Sequence, residues 1–257
     1  MKVTVLAENT ACRADVTAQH GLSLFIETQG QKILFDMGQD DTFIRNGEAL
    51  EINLAEADLA IVSHGHYDHG GGLEAFLKLN ATAPVLIHED AFGAYYNGTQ
   101  KYIGLDRELR QHPRLVLTKG ETQVSAGLRL SDCNEWNWCS NPWGLNRREG
   151  EVFLPDDFRH EQYLVITEGN RRLLISGCSH KGIVNIARHF RPDVLIGGFH
   201  LNKQEDASEL NAIADELLSG NTVYYTGHCT GEKQFALLKE RMGNRLRTLS
   251  TGFIFEV

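Results

Sequence analysis

Residues 63–72 read Ser-His-Gly-His-Tyr-Asp-His-Gly-Gly-Gly, placing three imidazoles and a carboxylate within six positions at the end of the apolar run 59–63. Core packing does not call for such a run, whereas metal binding does. In an extended segment the side chains at i and i+2 point the same way, so His64 and His66 converge on one ion. Asp68 and His69 fall where the chain turns into a glycine-led helix, and they face a second ion close by. Imidazole and carboxylate donors favour zinc, one ion or two, with iron or manganese as alternatives. Asp68, near both positions, is the residue expected to orient an attacking water. The competing reading is a solvated polar turn that binds nothing.

The surrounding pattern shows where that run sits. Strands are predicted over 2–6, 22–28, 32–36 and 59–63, with a hairpin at Gly30-Gln31 and a helix carrying Leu73, Phe76 and Leu77. Further on, strands over 163–167, 172–176, 194–197 and 222–226 alternate with helices, and strands over 245–249 and 253–257 close the chain. Ile183, Ile186, Ala187 and Phe190 mark one apolar helical face, with Ser179 as its expected N-cap. Asp206 and Glu209 have capping-box spacing before a second helix. The stretch 91–157 is the least regular and reads as an insertion, or lid, on a single domain spanning 1–257.

Composition narrows the classes. The chain of 257 residues carries 25 Lys plus Arg against 34 Asp plus Glu, a net charge of −9, and lacks a basic stripe. Nucleic acid is therefore an unfavourable partner. No apolar run approaches the roughly 18–20 residues that cross a bilayer, so no membrane partner is expected. The opening residues turn polar too soon for a signal peptide. The five cysteines are odd in number and form no CxxC pair, which suits a reducing cytoplasm.

The run His64-Gly65-His66-Tyr67-Asp68-His69, preceded by Leu34-Phe35-Asp36-Met37-Gly38, resembles the metallo-β-lactamase fold superfamily. The segments Gly177-Cys178-Ser179-His180-Lys181-Gly182-Ile183, Gly197-Gly198-Phe199-His200-Leu201 and Tyr225-Thr226-Gly227-His228-Cys229-Thr230-Gly231 narrow the likeness. They resemble a branch of metal-dependent hydrolases that includes the ribofuranosylaminobenzene-phosphate dihydropterin synthases. The resemblance implies an α+β fold, a four-layer αββα sandwich with an irregular middle insertion. It also implies metal ligands at His64, His66, Asp68, His69 and His228. Where the pattern commonly has a metal-bridging Asp, this chain has Cys178-Ser179-His180, so His180 is the expected substitute ligand.

Several other residues are expected near the site. Asp36 would hold a ligating imidazole rather than the metal, or else simply start a turn. Cys178 could coordinate as a thiolate or serve as a buried structural thiol. His20, His88, His160 and His200 are candidates for contacting substrate or supporting a ligand. Lys181 offers a cation for an anionic substrate, and the tryptophans of 133–143, with Asn137, Arg147 and Arg148, offer a lid able to stack on a flat ring. Three functions follow: a hydrolase acting on a small ester, lactone or phosphoester with a metal-activated water; a transferase joining a dihydropterin to ribofuranosylaminobenzene phosphate; and a non-catalytic metal-binding sensor. The expected partner is a small molecule, and oligomeric state is not specified.

Overall fold

The computed structural model describes residues 1–136, 138 and 144–257. The chain divides into two compact units, one of Met1–Lys119, Asn141–Glu161 and Ser250–Val257, the other of Gly120–Ser140 and Gln162–Leu249.

In the first unit seven strands lie in the order Ile254–Glu256, Lys2–Ala7, Ser23–Thr28, Gln31–Phe35, Leu59–Val62, Val85–His88 and Leu115–Thr118. Pairing is antiparallel as far as Gln31–Phe35 and parallel beyond it. Parallel neighbours need crossovers, and the helices Thr42–Ala49 and Leu73–Leu79 lie in two of them. Phe43, Leu73 and Phe76 from these helices join Leu34, Val62, Val85 and Ile87 in one core. The helix Thr42–Ala49 has no clear sequence signal, because its buried face includes Asn46 and Gly47. Asn46 earns that place by donating from Nδ2 to the carbonyls of Leu6 (2.7 Å) and Thr17 (2.9 Å). The hairpin turn is Gln29-Gly30, one residue earlier than expected. Both have positive φ (51° and 74°), as a type I′ turn requires, and Gln31 already pairs with Thr28.

The second unit orders its strands Leu246–Thr248, Val223–Thr226, Val194–Ile196, Arg171–Ile175, Tyr163–Glu168, Leu128–Ser131 and Thr122–Ser125. The first four are parallel and the rest antiparallel. Helices Ile183–Phe190, Ala207–Leu218 and Glu232–Met242 bring Ile186, Leu210 and Leu238 onto a core with Leu174, Leu195 and Tyr224. Asp206 caps Ala207–Leu218 by accepting from Ser208 N–H at 2.7 Å, while Glu209 accepts from Gln204 Nε2 instead of closing the box. Ser179 does not cap Ile183–Phe190. It adopts φ 59°, its hydroxyl pairs with Ser176 Oγ at 2.8 Å, and Gly182 takes the N-cap position.

The stretch 91–157 contributes short strands to both large sheets and a four-stranded sheet to the first unit, in the order Val152–Pro155, Leu145–Glu149, Tyr95–Asn97 and Lys101–Tyr102. Among the described residues no helix is long and apolar enough to cross a membrane.

Candidate metal centre

Every residue of the strand Leu59–Val62 is buried, and the strand delivers the 63–72 run at its C-terminal end. Space there is set by glycines. A Cβ at Gly65 would fall on the carbonyl of Ala91, and one at Gly72 on the carbonyl of Met37.

Asp36 directly follows the neighbouring strand Gln31–Phe35, fully buried and in the left-handed region at φ 59°. A non-glycine residue held there costs about 1–3 kcal/mol and persists where its surroundings fix it. Here Asp36 accepts from Ser63 N–H (2.7 Å), Ser63 Oγ (2.7 Å) and His69 Nδ1 (2.6 Å). Because the single Ser63 hydroxyl proton goes to the carboxylate, His64 Nδ1, 2.8 Å from Ser63 Oγ, must be the donor in that contact. Both imidazoles therefore carry the proton on Nδ1 and the lone pair on Nε2. Their ring centroids lie 4.2 Å apart, and that of His66 lies 4.6 Å from His64.

A second carboxylate, Asp156, lies near His66. His160 accepts from Gly65 N–H at Nδ1 (2.9 Å), so its proton sits on Nε2 and is donated to Asp156 Oδ2 at 3.1 Å. The same Asp156 oxygen stands 3.8 Å from His66 Nε2. Burial would push the Asp156 carboxyl up, but the charge and hydrogen bond of His160, together with His66, hold it well below the usual carboxylate range. Burial pushes His160 below the ordinary imidazole range, although Asp156 pulls it up. His160 is thus committed to Gly65 and Asp156. Asp156 has no counterpart in the sequence reading: it lies far along the chain from His66, in a segment without a motif.

Asp68 keeps a 14% exposed side chain, with His20 Nε2 at 3.2 Å from its Oδ2, while its carbonyl accepts from Leu22 N–H at 3.2 Å. His88 is engaged locally, its Nδ1 accepting from Asp90 N–H at 3.1 Å. Arg147 pairs with Glu149 and Asp157, and Arg148 stands over the Phe153 ring.

The other predicted residues belong to the second unit. His180 and His200 have ring centroids 4.2 Å apart, and Cys229 Sγ accepts from His200 N–H at 3.2 Å. His228 is buried beside Cys229 in the loop that follows Val223–Thr226. Burial opposes ionisation of the Cys229 thiol, yet hydrogen bonds from Cys178 and His200 and the charges of His228 and His200 hold it well below its ordinary value. The Lys181 cation is turned onto its own chain, donating to Asp132 O and to Asn134 Oδ1. Trp136 and Trp138 stack on each other and flank His189 at 5.5 and 5.1 Å. Asn137 and Trp143, the other expected lid contacts, lie outside the described residues.

These donors fit a divalent metal ion. In the second unit Cys178, His200 and Cys229 bring ligand atoms within 4.8 Å of one another; in the first His66, Asp156 and His160 lie as close, with His160 already bonded to Gly65 and Asp156. The Nε2 lone pairs of His64 and His69 are the form that binds a metal.

The chain belongs to the metallo-beta-lactamase superfamily, whose family model matches residues 16–228. The fold is accordingly of the expected α+β metallo-β-lactamase type. Two proteins of Methanocaldococcus jannaschii are similar over nearly their whole length. An uncharacterised protein is 29% identical over 260 residues, covering 93% of this chain and 94% of its own. A 7,8-dihydropterin-6-methyl-4-(beta-D-ribofuranosyl)-aminobenzene-5'-phosphate synthase is 28% identical over 283 residues, covering 100% and 96%. Among solved structures, a metal-dependent hydrolase of the beta-lactamase superfamily matches with a TM-score of 0.84 and 26% identity, over 100% of this chain and 99% of that one.

Proposed function

We propose that this protein is a metal-dependent hydrolase acting on a small ester, lactone or phosphoester, with His64, His66, Asp68 and His69 as metal ligands. The observation that carries the reading is the hydrogen-bonded chain His64–Ser63–Asp36–His69, which sets both rings in the ligating tautomer. Zinc suits this donor set, with iron or manganese as alternatives. A bound ion supplies Lewis acidity and lowers the pKa of water toward about 7. Asp68 orients the attacking water and takes its proton at a carboxylate oxygen. His20, whose Nε2 stands 3.2 Å from Oδ2 of that carboxylate and whose side chain is 48% exposed, accepts the proton there with its neutral ring and releases it to solvent.

The test is a panel of phosphoesters, esters and lactones offered to metal-loaded protein. We expect turnover of at least one class, reduced about 10²–10⁴-fold in Asp68→Asn with metal retained. Absence of turnover across the panel would sink the hydrolase reading.

A second reading is favoured by the full-length similarity to the synthase: transfer between a dihydropterin and a ribofuranosylaminobenzene phosphate. It requires saturable dihydropterin binding in a fluorescence titration, and a flat titration removes it.

A further inference from the structure

His20 reaches Asp68 from a surface loop, and an exposed imidazole keeps such a place only if the backbone beneath it is held. Here that backbone is held on both sides. Gly21, at φ 140°, presses so closely on the Asp68 carbonyl that a Cβ there would overlap the oxygen. Leu22 N–H donates to the same oxygen at 3.2 Å. Asn9 Oδ1 accepts from Gly21 N–H at 3.3 Å, and Gln39 Nε2 donates to the His20 carbonyl.

Gln39 belongs to a second loop, 36–41, which is itself seated on the 63–72 run. Met37 N–H donates to His69 O at 2.7 Å and Gly72 N–H to Gly38 O at 3.3 Å. A Cβ at Gly71 would fall on the Gln39 carbonyl. The support is reciprocal. Gln19, next to His20, accepts at Oε1 from Gln39 N–H (3.4 Å) and donates from Nε2 to Asp40 Oδ2 (2.8 Å) and Thr42 Oγ1 (3.0 Å). Each glutamine thus spends its side chain on the other's loop. An amide offers donor and acceptor on one neutral group, so the pair joins the loops without adding charge of its own. Ordering a glutamine costs more rotamer freedom than ordering most residues. Two of them, both partly buried and ordered across one pair of surface loops, mark a geometry that is being kept.

We propose that Gln39 and Gln19 are positioning residues, whose clasp holds the His20 ring at Oδ2 of Asp68. Its effect on turnover rests on the hydrolase reading above, whereas the clasp itself belongs to the chain with or without metal.

Gln39→Met keeps the side-chain length and removes the donor, and Gln19→Met does the same at the other half. In the metal-stripped full chain, hydrogen exchange at the Gly21 and Leu22 amides should quicken about 10-fold in either variant. Exchange in the strand Leu59–Val62 should stay as it is, which shows that the fold is intact. In metal-loaded protein, Gln39→Met should lower kcat about 10-fold with KM unchanged. The double variant with His20→Ala should be no slower than His20→Ala alone, because the glutamine acts through that ring. Unchanged exchange at both amides in both variants overturns the proposal, whatever the enzyme turns over. Losses that multiply in the double variant overturn it as well. A wild-type protein without turnover removes the hydrolase reading, and the exchange result then decides the clasp by itself.

Discussion

In the first unit two imidazoles of the 63–72 run are aimed by a carboxylate: Asp36 reaches His69 directly and His64 through Ser63, while Asp156 lies 3.8 Å from His66 Nε2. In the second unit Cys178, His200 and Cys229 are aimed by main chain, through left-handed residues and backbone hydrogen bonds between loops. The difference has an energetic meaning. Carboxylate-held rings have their proton positions fixed, so the cost of ordering them is met by folding. Main-chain-held donors have fixed origins, but their side chains can still adjust.

Four changes probe that contrast. The largest effect is expected from Asp36→Ala, which strips the buried acceptor from Ser63 and His69 at once. Breaking a buried charged pair on one side costs about 3–5 kcal/mol, readable as a shift in the urea midpoint. A loss below about 1 kcal/mol would mean that Asp36 does not organise the run. Next is Asp156→Asn, which should weaken metal binding about 10–100-fold by loosening His66. Chelator competition measures it, and unchanged affinity with intact folding would separate Asp156 from the site.

Gly198→Ala should cost about 1–3 kcal/mol through overlap with Cys229 Sγ. The same substitution should leave metal affinity at the first unit's histidines unaltered, and a parallel loss in both would erase the contrast. The smallest effect is a pH slope. His160 is held below the ordinary imidazole range, so the unfolded chain binds more protons as pH falls past about 6.5. Stability from this residue is present above that value and lost below it. Asp156, whose carboxyl is held low, loses its contribution only in far more acidic solution. Thermal midpoints of metal-stripped protein should fall from pH 7 to pH 5, less steeply in His160→Gln; equal slopes would clear His160.

The parts of this arrangement legible in the sequence are those set by local spacing. The 63–72 run announces itself, because i and i+2 alternation needs no tertiary information. Much of the strand and helix order follows from periodicity in the same way, the helix Thr42–Ala49 and the short strands of 91–157 excepted. The Ser179 cap failed because a cap requires extended backbone, and only the fold imposes φ 59° there. Asp156 was invisible because its partner His66 lies far away along the chain. Lys181 looked like a cation awaiting an anion, yet the carbonyl that accepts from it, Asp132, is likewise distant in sequence.

Gly65 and Gly72 give the run a fixed mount. Any side chain at either glycine displaces main chain of another segment. The path of the chain through 64–72 is thus fixed twice over, by main-chain packing at the two glycines and by the Asp36 bond to the His69 side chain between them. A change at a glycine moves the whole run, whereas a change at one donor acts first on that donor's own bonds.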